Sequence, residues 1–176
     1  DGEGFFFFFR IPVLVTNKHV IKDCELGKIE FHLEPVKHGI PSGETYELSI
    51  TNFESNFILH PDSDIDLCIL KMETFLKQVH DKCGSHVYYE AFTFWQLPED
   101  FELRDMFPIS DVYMIGYPDG LWDEENNFPI ARKGVTASHP YFDFNGKSQG
   151  LLDIAVFAGS SGSPIISYNL KATQGK

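Results

Sequence analysis

The chain has 176 residues, 14 of them basic and 26 acidic, for a formal net charge of −12, and 43% are hydrophobic against 23% charged. That size buries a real core in one domain or one unit of two small lobes, and the composition excludes a disordered chain. The acidic balance excludes a nucleic-acid module, whose phosphates require clustered Lys and Arg, and no apolar run reaches the roughly 18–20 residues of a bilayer span.

Strand patterns dominate from the start. Phe5–Phe9, opened by Gly2 and Gly4, is a continuous apolar run suited to a strand buried on both faces, and Pro12–Thr16 follows as a second. Val20–Cys24 reads as a short helix. Lys28–Leu33 and Glu44–Ile50 alternate apolar and polar residues, as half-buried strands do, across a Pro/Gly-rich turn at Gly39–Gly43. Asp66–Met72 continues the pattern. Glu73–Lys82 reads instead as a helix with Phe75, Leu76, Val79 and Cys83 on one face, stopped by Gly84. Further strands are expected at Val87–Phe94, Val112–Ile115, Gly134–Ser138, Leu151–Val156 and Pro164–Tyr168, with Asp119–Asn127 a polar surface loop. About ten short strands at steady spacing predict an all-β sandwich or a pair of barrels, with a lobe boundary near Gly84.

Three cysteines at unrelated spacings, Cys24, Cys68 and Cys83, point to reduced thiols in a cytosolic protein, with one disulfide plus one free thiol in a secreted protein as the alternative. No signal-peptide pattern opens the sequence, which adds to the expectation of a cytoplasmic protein that binds no membrane.

Three segments carry residues suited to chemistry. In Gly159-Ser160-Ser161-Gly162-Ser163-Pro164, glycines clear the approach to a serine hydroxyl, and neighbouring N–H groups can turn toward a developing oxyanion. The same composition also makes a plain loop. His19 follows a strand and opens a helical segment, a rigid but reachable place for a base, or for an exposed corner residue. Asp62, Asp64 and Asp66 precede the apolar run Leu67–Leu70, and Asp66, directly before it, is best placed for a partly buried acceptor role; three spaced aspartates also make a solvated turn. Taken together, His19, Asp66 and Ser161 fall in the order His, Asp, Ser at separations of 47 and 95 residues, each in the context its role requires.

The segments Thr16–Val20 (TNKHV), Asp64–Leu70 (DIDLCIL) and Gly159–Pro164 (GSSGSP) resemble the chymotrypsin/trypsin superfamily. They are most similar to its disulfide-free bacterial branch of trypsin-like peptidases, related to the high-temperature-requirement proteases. Val112–Ser138, with Gly116-Tyr117-Pro118 and Asn126–Ile130, also resembles a strand–loop–strand of that branch, and the likeness runs from about Gly2 to Ser167. It implies one trypsin-like domain over 1–176, built as two six-stranded antiparallel β-barrels with the active site between them and few short helices. Residues 1–84 would form the lobe with His19 and Asp66, and 85–176 the lobe with Ser161, incomplete at its end. The implied activity is that of a serine endopeptidase working through an acyl-enzyme. Ser161 would be the nucleophile, His19 the general acid/base and Asp66 the residue fixing its tautomer, with backbone N–H groups of Gly159 and Ser161 as oxyanion hole. Ala155, six residues before the nucleophile, would floor the primary pocket, with Val156 and Ala158 beside it. An uncharged floor favours cleavage after small or apolar residues over Arg or Lys; Asp153 reads as a strand-start residue. No cofactor or metal is implied, and the partner is a protein or peptide substrate. Intracellular members of this branch are often coupled to sensor modules, including in antiphage defence, so the resemblance permits a regulated cytoplasmic protease with an activating partner or fused sensor domain.

The sequence departs from the family at Ser160, where Asp or Asn is common, and at Ala158, where proline is common in this branch. Only fifteen residues follow Ser161, too few to finish a second barrel, and the first hairpin at Arg10–Ile11 is short. Both features raise the expectation that segments are missing near Arg10–Ile11 and after Ser167. The alternative function is a catalytically silent trypsin-like domain that binds or regulates. A calcium loop on Asp62, Asp64, Asp66 and Glu73 is opposed by Leu67 at the position that needs glycine, and His80, Cys83 and His86 lack an evident fourth zinc ligand.

Overall fold

The computed structural model describes residues 10–34, 41, 43–119 and 121–168. The Phe5–Phe9 strand and most of the Gly39–Gly43 turn lie outside these residues. The protein is mostly β with few short helices, and its chain divides into two units, Asp1–Ala91 and Phe92–Lys176.

In the first unit, β1 (Val13–Thr16), β4 (Ile58–Leu59) and β5 (Cys68–Lys71) form an antiparallel sheet in the order β1-β5-β4. A second sheet orders β3 (Thr45–Thr51), β2 (Leu26–Leu33) and β6 (Val87–Tyr88) as β3-β2-β6. The alternation read in β3 is met in three dimensions: Leu48 and Ile50 are buried, while Glu47, Ser49 and Thr51 are exposed. With Ile21, Leu33, Cys68, Leu70 and Val87 they belong to one apolar core. Each large aliphatic side chain buried there contributes roughly 1.5–3 kcal/mol.

The helix α2 (Glu73–Cys83) covers this core with the predicted face: Val79 is wholly buried, and Phe75, Leu76 and Cys83 pack against the cluster. Gly84 ends it in the left-handed conformation (φ 74°), its N–H donating to the His80 carbonyl at 2.8 Å. The other helix of this unit, α1, spans Lys18–Ile21, earlier than Val20–Cys24, because the extended Asn17 accepts the first turn's hydrogen bond from Val20 at 3.2 Å.

The second unit contains β7 (Asp111–Gly116), β8 (Ile130–Thr136), β9 (Leu152–Asp153) and β10 (Ile165–Ile166), in the order β10-β7-β8-β9. Pairing of Met114 with Arg132 and of Val112 with Gly134 places Val112, Met114, Arg132 and Thr136 on one face, and all four are buried. An arginine is therefore part of the interior of this sheet. The strand expected over Val87–Phe94 stops at Tyr88. Beyond it, Gln96 Oε1 accepts from the Thr93 N–H (2.7 Å) and hydroxyl (3.0 Å), fixing a 3₁₀ turn at Phe94–Gln96. The helix α3 (Asp100–Asp105) begins where Glu99 N–H donates to the Glu102 carboxylate at 3.1 Å. Among the described residues the sheets have three, three and four strands and do not resolve closed six-stranded barrels. Four of the strands are only two residues long, too short to wrap a sheet upon itself. No helix among the described residues is long and apolar enough to cross a membrane.

Candidate active site

The register of β1 against β5 sets Thr16 opposite Cys68. The chain leaving β1 and the chain entering β5 therefore lie at the same end of one sheet, and residues 17–19 fall beside Asp66. Asn17 Nδ2 donates to the Asp66 carbonyl at 2.7 Å, and the His19 N–H donates to Asp66 Oδ1 at 3.1 Å. The His19 ring meets the other carboxylate oxygen through Nδ1. An ionised carboxylate only accepts, so Nδ1 carries the proton and Nε2 is the basic nitrogen of the neutral ring. The bond from the ring holds the Asp66 carboxyl below its ordinary value of 3.8, against an opposing desolvation and with help from the His19 N–H. Both side chains are about half exposed, so the pair is reachable from solvent.

Asp62 and Asp64 lie in the turn that leads into this corner. Asp64 N–H donates to Asp62 Oδ1 at 2.9 Å, and Lys18 Nζ donates to the Asp62 carbonyl at 2.8 Å.

In the second unit, the chain turns sharply from Phe157 to Ser163. Ser160 N–H donates to the Phe157 carbonyl (3.1 Å), Ser163 N–H to the Ser160 carbonyl (3.1 Å), and Asp119 N–H to the Ala158 carbonyl (2.9 Å). Gly159 sits at φ +76°, and a Cβ there would lie 2.7 Å from the Asp119 nitrogen, so both conformation and space demand glycine. Ser160 points inward and is buried, whereas Ser161 is exposed. This turn places Ser161 at an exposed position on a backbone held by three hydrogen bonds.

The residues expected around a substrate pocket lie in the same unit. Ala155, Val156 and Ala158 are exposed, and Asp153 ends the short strand β9. The Ala155 carbonyl accepts from Arg132 Nη1 at 3.2 Å, and the same nitrogen donates to Ser160 Oγ at 2.8 Å. Sequence reasoning missed Arg132 because a cation in a strand reads as solvent-facing. Its placement two and four residues before Gly134 and Thr136, on the buried parity of β8, is the signal that could have found it. Asn17 was also missed, although its place next to a strand end offered a hint.

The first unit thus brings His19 and Asp66 together, and the second holds Ser161, Gly159 and the pocket residues. His80 and His86 stack with ring centroids 4.2 Å apart, and Cys83 Sγ turns to the Ser85 carbonyl at 3.6 Å. Among the described residues no group of three or more His, Cys, Asp or Glu is gathered to hold a metal ion. Cys24, Cys68 and Cys83 are unpaired thiols. Comparison with protein families matches residues 2–171 to the model described as "Trypsin-like peptidase domain". No curated protein matches the chain.

Proposed function

Because the chain belongs to the trypsin-like peptidase family over nearly its whole length, we propose that it is a serine endopeptidase using His19, Asp66 and Ser161. The observation that carries this reading is the doubly bonded His19–Asp66 pair, which presents imidazole Nε2 as a base in a fixed tautomer. Ser161 Oγ attacks the scissile carbonyl carbon while Nε2 takes its proton. Backbone N–H groups of Gly159 and Ser161 stabilise the oxyanion, and the imidazolium returns the proton to the leaving amine. Water then attacks the acyl-enzyme by the same route, and the free carboxylate leaves.

The uncharged Ala155 floor, with a guanidinium on its carbonyl, supports cleavage after small or apolar residues and disfavours a cationic one. Unpaired thiols support a reducing compartment as the place of action. A serine-reactive fluorophosphonate tests the central claim: it should label the protein, and Ser161→Ala should abolish labelling. Absence of labelling in the unaltered protein, with candidate activating partners added, favours a domain that binds or regulates without cutting.

A further inference from the structure

Arg132 is 8% exposed, in the interior of the second unit. Both hydrogens of Nη1 are used, one on the Ala155 carbonyl and one on Ser160 Oγ, while Nε and Nη2 are buried without a hydrogen-bond partner. Such a cation pays a desolvation penalty that its neighbours compensate only in part. A side chain kept at that cost on the inner face of β8 needs a reason, and its contacts supply one. Ser160 stands between Gly159 and Ser161, and its Oγ also accepts the Phe157 N–H at 3.2 Å. Arg132 and the Phe157 amide together hold Oγ inward, which fixes the peptide planes on either side.

We propose that Arg132 is a positioning residue for the Ser161 turn, acting through Ser160, and that its unpaired N–H groups make position 160 a place where a carboxylate is accepted. This inference rests on the serine-peptidase reading above. Without the Arg132 bond, Gly159 is free to leave its left-handed conformation, because glycine populates both signs of φ readily. The N–H groups proposed to face the oxyanion then lose their aim, while the Ser161 hydroxyl persists. For Ser160→Ala, which leaves the Arg132 bond to the Ala155 carbonyl in place, the loss falls on the transition state and not on ground-state binding.

The test uses Arg132→Gln, Arg132→Lys, Ser160→Ala and Ser160→Asp, with Ser160→Asp also made in the Arg132→Gln background. Arg132→Gln and Ser160→Ala should slow fluorophosphonate labelling by about tenfold to a hundredfold and lower kcat. KM should be little changed in Ser160→Ala, which leaves the Arg132 bond to the Ala155 carbonyl in place, and should rise in Arg132→Gln, which removes it. Arg132→Lys should recover part of the rate. Ser160→Asp should slow amide hydrogen exchange across residues 157–163 when Arg132 is present. In the Arg132→Gln background the same carboxylate, now buried without its cation, should speed exchange and lower Tm. Equal effects of Ser160→Asp in both backgrounds, or wild-type exchange and labelling in Arg132→Gln, overturn the proposal. Labelling that survives Ser161→Ala overturns the peptidase reading instead, and the exchange measurements still decide whether Arg132 holds the turn.

Discussion

Asp66 accepts from two atoms of His19, and the two bonds have different consequences for a substitution. The bond to the backbone N–H locates the carboxylate, and the bond to Nδ1 selects the tautomer. Asp66→Asn preserves shape but offers an amide that can donate as well as accept, so the ring is free to carry its proton on Nε2 and lose its basic nitrogen. Labelling and peptide hydrolysis should fall by about 10³–10⁴-fold while circular dichroism stays unchanged; a fall smaller than about tenfold removes Asp66 from the role. The same bond predicts a pH dependence of stability. Folded Asp66 titrates below the ordinary 3.8, so in the interval between the two values the unfolded chain binds more protons and stability rises with pH. The contribution is complete above the unfolded value and disappears as pH falls through the folded one. Urea unfolding from about pH 6 to about pH 3 should show a shallower acid loss for Asp66→Asn than for the wild type; identical slopes refute the coupling.

At the scale of elements, the β1–β5 pairing joins stability to chemistry. Leu70 is 1% exposed, faces Leu14 across the pair, and lies four residues beyond Asp66. Leu70→Ala should cost about 2–5 kcal/mol, read as a lower urea midpoint at unchanged m-value. A cost under about 1 kcal/mol would show that the strand is not anchored in the core. This part of the molecule was legible in advance because burial follows simple periods. Alternation marked β3, the spacing of Phe75, Leu76, Val79 and Cys83 marked α2, and Gly84 marked its end. The pairing of His19 with Asp66 was legible for a related reason, since each stands at a strand boundary, but Asp66 is about half exposed and not the partly buried acceptor expected from its place before Leu67–Leu70. What escaped was set by single contacts. The two-residue strand β4 is too short to show a period, and α3 depends on one glutamate reaching back to another. Arg132 escaped because its burial is explained by Ser160 and Ala155, residues 28 and 23 positions away in the chain.

For the whole molecule, a net charge of −12 sets a field that no single residue reveals. Asp62 and Asp64 also stand in the turn before Asp66, and Asp119 lies against Gly159. A segment carrying Lys or Arg away from the cleaved bond is attracted on approach, and one carrying Glu or Asp is repelled, which acts on association and leaves the chemical step untouched. Two peptides with the same residues around the scissile bond and opposite flanking charge should therefore differ in kcat/KM. The basic one should be favoured by about tenfold at low salt. The Debye length shrinks from about 30 Å at 0.01 M salt to about 3 Å at 1 M, so the advantage should collapse toward unity over that range. A preference that survives high salt would locate the discrimination in direct contacts with the substrate, and a preference for the acidic peptide would mean that a local cationic surface outweighs the field of the chain.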